Sequence, residues 1–196
     1  MMVVMVPIPW PLLTRRPLDL GRWRSAGLSA TAELAARWTE DRYEGVAHGT
    51  EADGFDRVRD AILTYTFFPP ERVTGTVDTP DGRLVLGATV VQRVRVAVVG
   101  FESATRVVGL SNGTDEVGRR YVRFTYATLV GHPEGGIATF SAAETGTGDV
   151  AMSIVTRSRA VAWWARLGWP VTRAVQLQTN RRVIARLIAL AEPPLP

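Results

Sequence analysis

The chain has 196 residues, 46% hydrophobic and 21% charged, which predicts one folded domain with a substantial core and excludes extensive disorder. It contains no cysteine, so disulfides, thiolate metal sites and a cysteine nucleophile are excluded, and a reducing, cytoplasmic setting is expected. The net charge is +4 and all 23 basic residues are Arg, spread along the chain rather than gathered in a stripe with aromatics, so no nucleic-acid partner is expected.

Residues 1–13 are apolar but broken by Pro7, Pro9 and Pro11, with no basic segment before the apolar run. The run is too short to span a bilayer and reads as an arm, either loosely ordered or docked over an apolar patch. Residues 1–40 are expected to form this arm and a short helix over 29–38, where Ser/Thr capping candidates open an Ala-rich stretch. Residues 41–192 are expected to form a single domain. It begins with a strand over 45–51 and a helix capped by Asp53 that runs to about residue 68, where Pro69-Pro70 stop it. Phe55, Val58, Ile62 and Tyr65 share one face of that helix.

From residue 72 the hydrophobic period changes to two. Strands are predicted over 72–78, 84–99, 101–110, 121–130, 137–145 and 150–159, with turn chemistry at Pro80-Asp81-Gly82, Asn112-Gly113, 131–136 and 146–149. Short links between successive strands predict an antiparallel meander. Alternation places Val122, Phe124 and Tyr126 on one face with Thr128. It does the same for Val150, Met152 and Ile154, and for Val90, Val94 and Val96 with Gln92. The other face carries Arg93, Arg95, Arg123, Arg157 and Arg159 and is expected to be solvated. The cover for the apolar face is a helix from Pro170 to about residue 191, with Leu177, Ile184 and Ile188 on one stripe broadened by Val183 and Leu187. The fold class is therefore α+β, a curved antiparallel sheet wrapped around a long C-terminal helix.

Three stretches give this pattern a family likeness: Ala47-His48-Gly49-Thr50 with Phe55-Asp56-Arg57; the run from Arg123 through Tyr126-Ala127-Thr128-Leu129-Val130-Gly131-His132-Pro133-Glu134; and Ser158-Arg159-Ala160 leading to Trp164-Ala165-Arg166-Leu167-Gly168. Together they resemble the uncharacterised DUF1990 family, over about residues 40–190, within the START/Bet v 1-like (SRPBCC) helix-grip superfamily. The sequence departs from the family pattern at Gly136-Ile137-Ala138, where a further acidic residue is expected. The resemblance implies a helix-grip fold that often holds apolar ligands between sheet and helix, and less often houses a cyclase or hydrolase.

Candidate chemistry is sparse. His48 and His132 lie on separate segments and no helical His-x₃-His spacing exists, so neither a metal nor a cofactor is expected. His132 with Glu134 reads either as a general base with its orienting group or as a pair that shapes a Gly/Pro-rich turn. Tyr126 reads either as a ligand hydrogen-bonder or as core. Trp163, Trp164 and Trp169 near Arg159, Arg166 and Arg173 read either as a peripheral membrane patch or as helix packing. Three functions follow. The first is a binding module whose pocket, several hundred Å³ in volume, is walled by Gln92, Val122, Phe124, Tyr126, Met152, Ile154, Leu177 and Ile184 and takes a small apolar or amphipathic molecule. The second is an enzyme that uses His132, Glu134 or Tyr126 in the same pocket. The third is an interaction module with a filled core.

Overall fold

The computed structural model describes residues 7–192 apart from Glu51, Thr147 and Gly168, and apart from the side chains of Trp164, Trp169, Val171 and Thr172. The first six residues of the apolar arm and the Pro-rich end thus lie outside the described residues. A short N-terminal layer comprises β1 (Ile8–Pro9), α1 (Trp10–Thr14), α2 (Leu20–Arg24) and α3 (Ala32–Ala35). There follow β2 (Glu40–Ala47), α4 (Gly54–Leu63) and the meander β3 (Val73–Val77), β4 (Thr89–Val96), β5 (Val99–Thr114), β6 (Arg120–Thr128), β7 (Glu134–Glu144) and β8 (Val150–Ala160). The chain closes with α5 (Trp163–Leu167) and α6 (Trp169–Ala191).

The sheet runs β2-β8-β7-β6-β5-β4-β3, every pair antiparallel, with β1 added to β5. β2 and β3 follow each other in the chain yet form opposite edges, so the segment carrying α4 crosses the face that α6 also covers. A bulge between Val107 and Gly109 bends β5, the longest strand, and so curls the sheet around the helix. This is the curved sheet around a terminal helix that the alternation and the stripe predict, and the helix-grip arrangement that the resemblance implies.

Register builds the core. Tyr43, Ile154, Phe140, Phe124 and Leu110 face one another across five neighbouring strands. Phe124 and Phe140 stack with centroids 5.0 Å apart, a favourable cross-strand aromatic pair. Over them lies a wedge of Tyr65, Phe67 and Phe68, all buried. The wedge explains why α4 stops at Leu63 rather than near residue 68. Tyr65 takes a left-handed φ of 59°, its amide bonds Ile62 and the Thr66 amide bonds Ala61, which forms a Schellman ending. A tyrosine in that conformation costs about 1–2 kcal/mol, offset by burial of its ring. The ring lies so close to Gly75 that a Cβ there would sit 2.2 Å from it.

The C-terminal half of α6 is held tightly. Val183, Ile184, Leu187 and Ala191 are buried, and Gly45 of β2 admits Ile184 at a distance that a side chain would block. Arg57 of α4 donates to the carbonyls of Leu190 at 2.8 Å and of Ala191 and Glu192 at 3.1 Å, so a cation satisfies the acceptor-rich end of the helix.

Three expectations are corrected. Asn112-Gly113 is not a turn: both residues pair within β5, opposite Val122 and Tyr121. The hairpin closes later because the Asp115 carboxylate accepts the amides of Val117 and Arg119 and Gly118 takes a φ of 83°. The helix over 29–38 is reduced to α3, capped by Thr31, because Leu28 bridges to Leu129 and the Ser29 amide bonds Thr128, drawing that segment along the sheet. Finally, the back of the sheet is not wholly solvated. Trp23, Val91, Ala104 and Leu129 form a second buried cluster beneath the N-terminal layer, which Arg106 holds by bonds to the carbonyls of Trp23, Arg24 and Ala26.

Replacing Arg57 with Leu is expected to cost about 1–3 kcal/mol, the range for bonds to a charged donor. It should lower the urea midpoint and speed amide exchange over the last turn of α6. An unchanged midpoint would show that packing alone holds that end.

Candidate functional site

A cavity of about 130 Å³ lies beneath the N-terminal half of α6, which is tied to β2 by Arg173 and Asp41 and to β8 by the Gln176 amide donating to Ser158 Oγ at 3.0 Å. The helix stripe changes character along its length. Gln176, Thr179 and Asn180 face the cavity, whereas Val183, Ile184 and Leu187, one turn on, fill the core. The opposite wall comes from Gln92, Val94 and Val96 of β4, Phe101 of β5, Tyr126 of β6 and Thr156 of β8. Phe68 of the aromatic wedge separates the cavity from the core, and the turn from β6 to β7 contributes His132, Pro133 and Glu134.

That turn is pinned from both sides. The His132 amide bonds Leu129, and the Pro133 carbonyl accepts from the amides of Val161 and Ala162. The Glu134 amide donates to His132 Nδ1 at 3.0 Å. This bond shapes the turn and also sets the tautomer: with Nδ1 an acceptor, the neutral ring carries its proton on Nε2. Burial lowers His132 from the ordinary 6.5 to about 4, partly opposed by its bond to the Glu134 amide, so the ring is neutral near pH 7. Burial raises Glu134 from 4.5 to about 7, opposed by the positive field of Arg173. Arg173 itself is bound to Asp41 at 2.5 Å and to Gln176 at 2.9 Å. Tyr126 is pushed well above the ordinary tyrosine value by burial and then by Glu134.

Thr156 is only 6% exposed, and its hydroxyl has no hydrogen-bond partner among the described residues. Gln92 is 5% exposed and donates to the Tyr65 hydroxyl at 2.5 Å, which ties the cavity wall to the wedge.

Of the residues expected to wall a pocket, Gln92 and Tyr126 line this cavity, as do His132 and Glu134. Val122, Phe124, Met152, Ile154 and Ile184 lie instead in the closed core, and half-buried Leu177 is not part of the lining. They share the concave face with the cavity, but at the end where α6 and the aromatic wedge close down. Alternation along a strand reveals a face and not the height of the element above it. The cavity is also smaller than the several hundred Å³ expected. Thr156, Thr179 and Asn180 line the cavity without being among the residues expected to wall it. Their signal was present in the sequence: Thr156 follows Val150, Met152 and Ile154 on the inward alternation, and Gln176, Thr179 and Asn180 extend the buried stripe of α6 with polar residues.

His48 lies elsewhere, bonded to Asp149 at 2.9 Å on an exposed loop. Among the described residues no cluster of three His, Cys, Asp or Glu could hold a metal. Trp163 is 62% exposed beside exposed Arg166, whereas the side chains of Trp164 and Trp169 lie outside the described residues. No described helix is long and apolar enough to cross a membrane.

A family model described as a domain of unknown function, DUF1990, matches residues 23–186. The chain belongs to the DUF1990 family. The match starts at Trp23, whose indole fills the second core behind the sheet, and so includes much of the N-terminal layer. Among solved structures, a hypothetical protein of Helicobacter pylori aligns with a TM-score of 0.56 and 9% identity, covering 98% of this chain and 100% of the other. A protein of Thermus thermophilus aligns with a TM-score of 0.51 and 10% identity, covering 78% and 97%. Identities this low support a shared fold for the DUF1990 chain and nothing finer. No curated protein matches it.

The two shifted groups oppose each other in pH. His132 contributes stability that is full above 6.5 and lost as pH falls through about 4. Glu134 contributes stability that is full below 4.5 and lost as pH rises through about 7. Relative to a Glu134→Gln variant, the native chain is expected to lose up to roughly 3 kcal/mol between about pH 5 and pH 8, read from paired denaturation curves. Nitrogen NMR at neutral pH should show His132 as the neutral Nε2–H tautomer. A flat difference curve, or an imidazolium at pH 7, would contradict the burial of this pair.

Proposed function

We propose that this protein binds a compact, mainly apolar small molecule in the cavity between the sheet and the N-terminal half of α6. One observation carries the reading: polar groups without a partner among the described residues line the same partly apolar hollow. The Thr156 hydroxyl is buried with no partner among the described residues, the Tyr126 hydroxyl and Glu134 carboxylate bond no described residue, and His132, whose Nδ1 accepts the Glu134 amide, also lines the hollow. Buried polar groups are normally satisfied, and a set left open on one cavity suits a ligand that satisfies them. The volume sets the size. A cavity of about 150 Å³ admits benzene, so about 130 Å³ suits a single ring with a few substituent atoms and not a long acyl chain.

The catalytic reading uses the same wall and has one observation in its favour: Glu134 titrates near neutral pH inside a cavity, as a general base would. Glu134-dependent deuterium uptake beside the carbonyl of cyclohexanone would favour catalysis over binding alone.

Benzyl alcohol is a suitable probe for the binding reading. Binding followed by NMR is expected to perturb Tyr126 and Thr156, and to weaken at least about tenfold when Thr179→Trp fills the hollow. Thr156→Val should weaken binding several-fold while leaving the unligated protein equally stable or about 1 kcal/mol more stable, since it removes an unpartnered buried hydroxyl. Indifference of benzyl alcohol binding to both substitutions would place the site elsewhere.

A further inference from the structure

The cavity wall is electrostatically one-sided. Among the described residues Glu134 is its single carboxylate, and no Arg contributes to the lining. The Glu134 carboxylate forms no ion pair and accepts no hydrogen bond among the described residues. Arg173 of α6 acts on it only at longer range, its guanidinium being bound to Asp41 and Gln176. His132 supplies no counter-charge, because its Nδ1 accepts the Glu134 amide and burial keeps the ring neutral. Three aromatic rings, Phe68, Phe101 and Tyr126, share the wall.

A carboxylate walled in by apolar surface is costly to ionise unless a positive partner arrives. Aromatic faces attract the same kind of partner through their quadrupoles. An anionic ligand would meet a like charge, and a neutral one would leave the carboxylate unpaired. We propose that the ligand of this cavity is a compact organic cation, a protonated amine on a ring-sized apolar body. Its ammonium group sits on Glu134 and its body lies against Phe68, Phe101 and Tyr126. This assignment rests on the cavity being the binding site, as proposed above.

The pH dependence follows from the groups that face Glu134. They are His132 on the same turn, Tyr126 from β6, and Arg173 from α6 with Asp41 of β2 attached to it. β4, β5 and β8 present Gln92, Phe101 and Thr156, which do not titrate. An ammonium ion favours the ionised carboxylate, so binding expels the proton that Glu134 holds below about pH 7. Affinity for the amine therefore rises with pH by up to about tenfold per unit below that point and levels off above it.

The test titrates the full chain with benzylamine, benzyl alcohol and benzoate by calorimetry, from about pH 6 to about pH 8. Benzylamine is expected to bind at least about tenfold more tightly than benzyl alcohol at the upper pH, with benzoate weakest. Glu134→Gln should abolish both the preference for the amine and its pH dependence. Glu134→Asp should retain part of the preference. If benzyl alcohol binds as well as benzylamine, or if the amine preference survives in Glu134→Gln, the cation assignment falls and the cavity reading stands. If none of the three binds the folded protein, both fall.

Discussion

The structure depends on how α6 is fastened. Its last turn is gripped by the Arg57 guanidinium, which spans three carbonyls, and its middle is drawn onto β2 where Gly45 offers no side chain. Its N-terminal half is held by polar contacts instead, Arg173 to Asp41 of β2 and Gln176 to Ser158 of β8, and the hollow lies beneath this half. The polar residues of that half, Gln176, Thr179 and Asn180, can face it without the desolvation cost they would carry in a closed core.

The aromatic wedge divides the two regimes. Tyr65, Phe67 and Phe68 enter the concave face because α4 ends in a left-handed residue, and they fill the volume between sheet and helix next to the fastened end. Gln92 then ties the Tyr65 hydroxyl to β4, so the boundary between packed core and cavity is itself hydrogen-bonded. On the far side of the sheet, Trp23 and Arg106 hold the N-terminal layer over strands β4 to β6. The strands that form the cavity wall are thus supported from behind, which favours a preformed site.

The electrostatic character of the cavity comes from one tight turn. Pro133 and the His132–Glu134 bond place a neutral imidazole and an unpaired carboxylate side by side on an apolar wall. Their environments move the two groups in opposite senses, His132 towards neutrality near pH 7 and Glu134 towards titration near pH 7.

Local chemistry was legible in the amino acids alone. Alternation in β6 and β8 showed which residues face inward, the stripe on α6 showed what covers them, and the Gly-His-Pro-Glu turn showed where titratable groups cluster. These are short-range properties, set by backbone period and side-chain polarity. Tertiary structure decided what depends on distances between elements. Uneven packing beneath α6 placed Val122, Phe124, Met152, Ile154 and Ile184 in closed core and left Gln92, Tyr126 and Thr156 on a cavity, although all occupy the same face. The carboxylate of Asp115, rather than Asn112-Gly113, closed the hairpin, and Trp23 covered a face whose alternating Arg residues suggested solvent. Apart from the Asp115 turn, whose contacts are local, the deciding contact joins residues that the local period cannot relate, because packing responds to the space left by neighbouring elements.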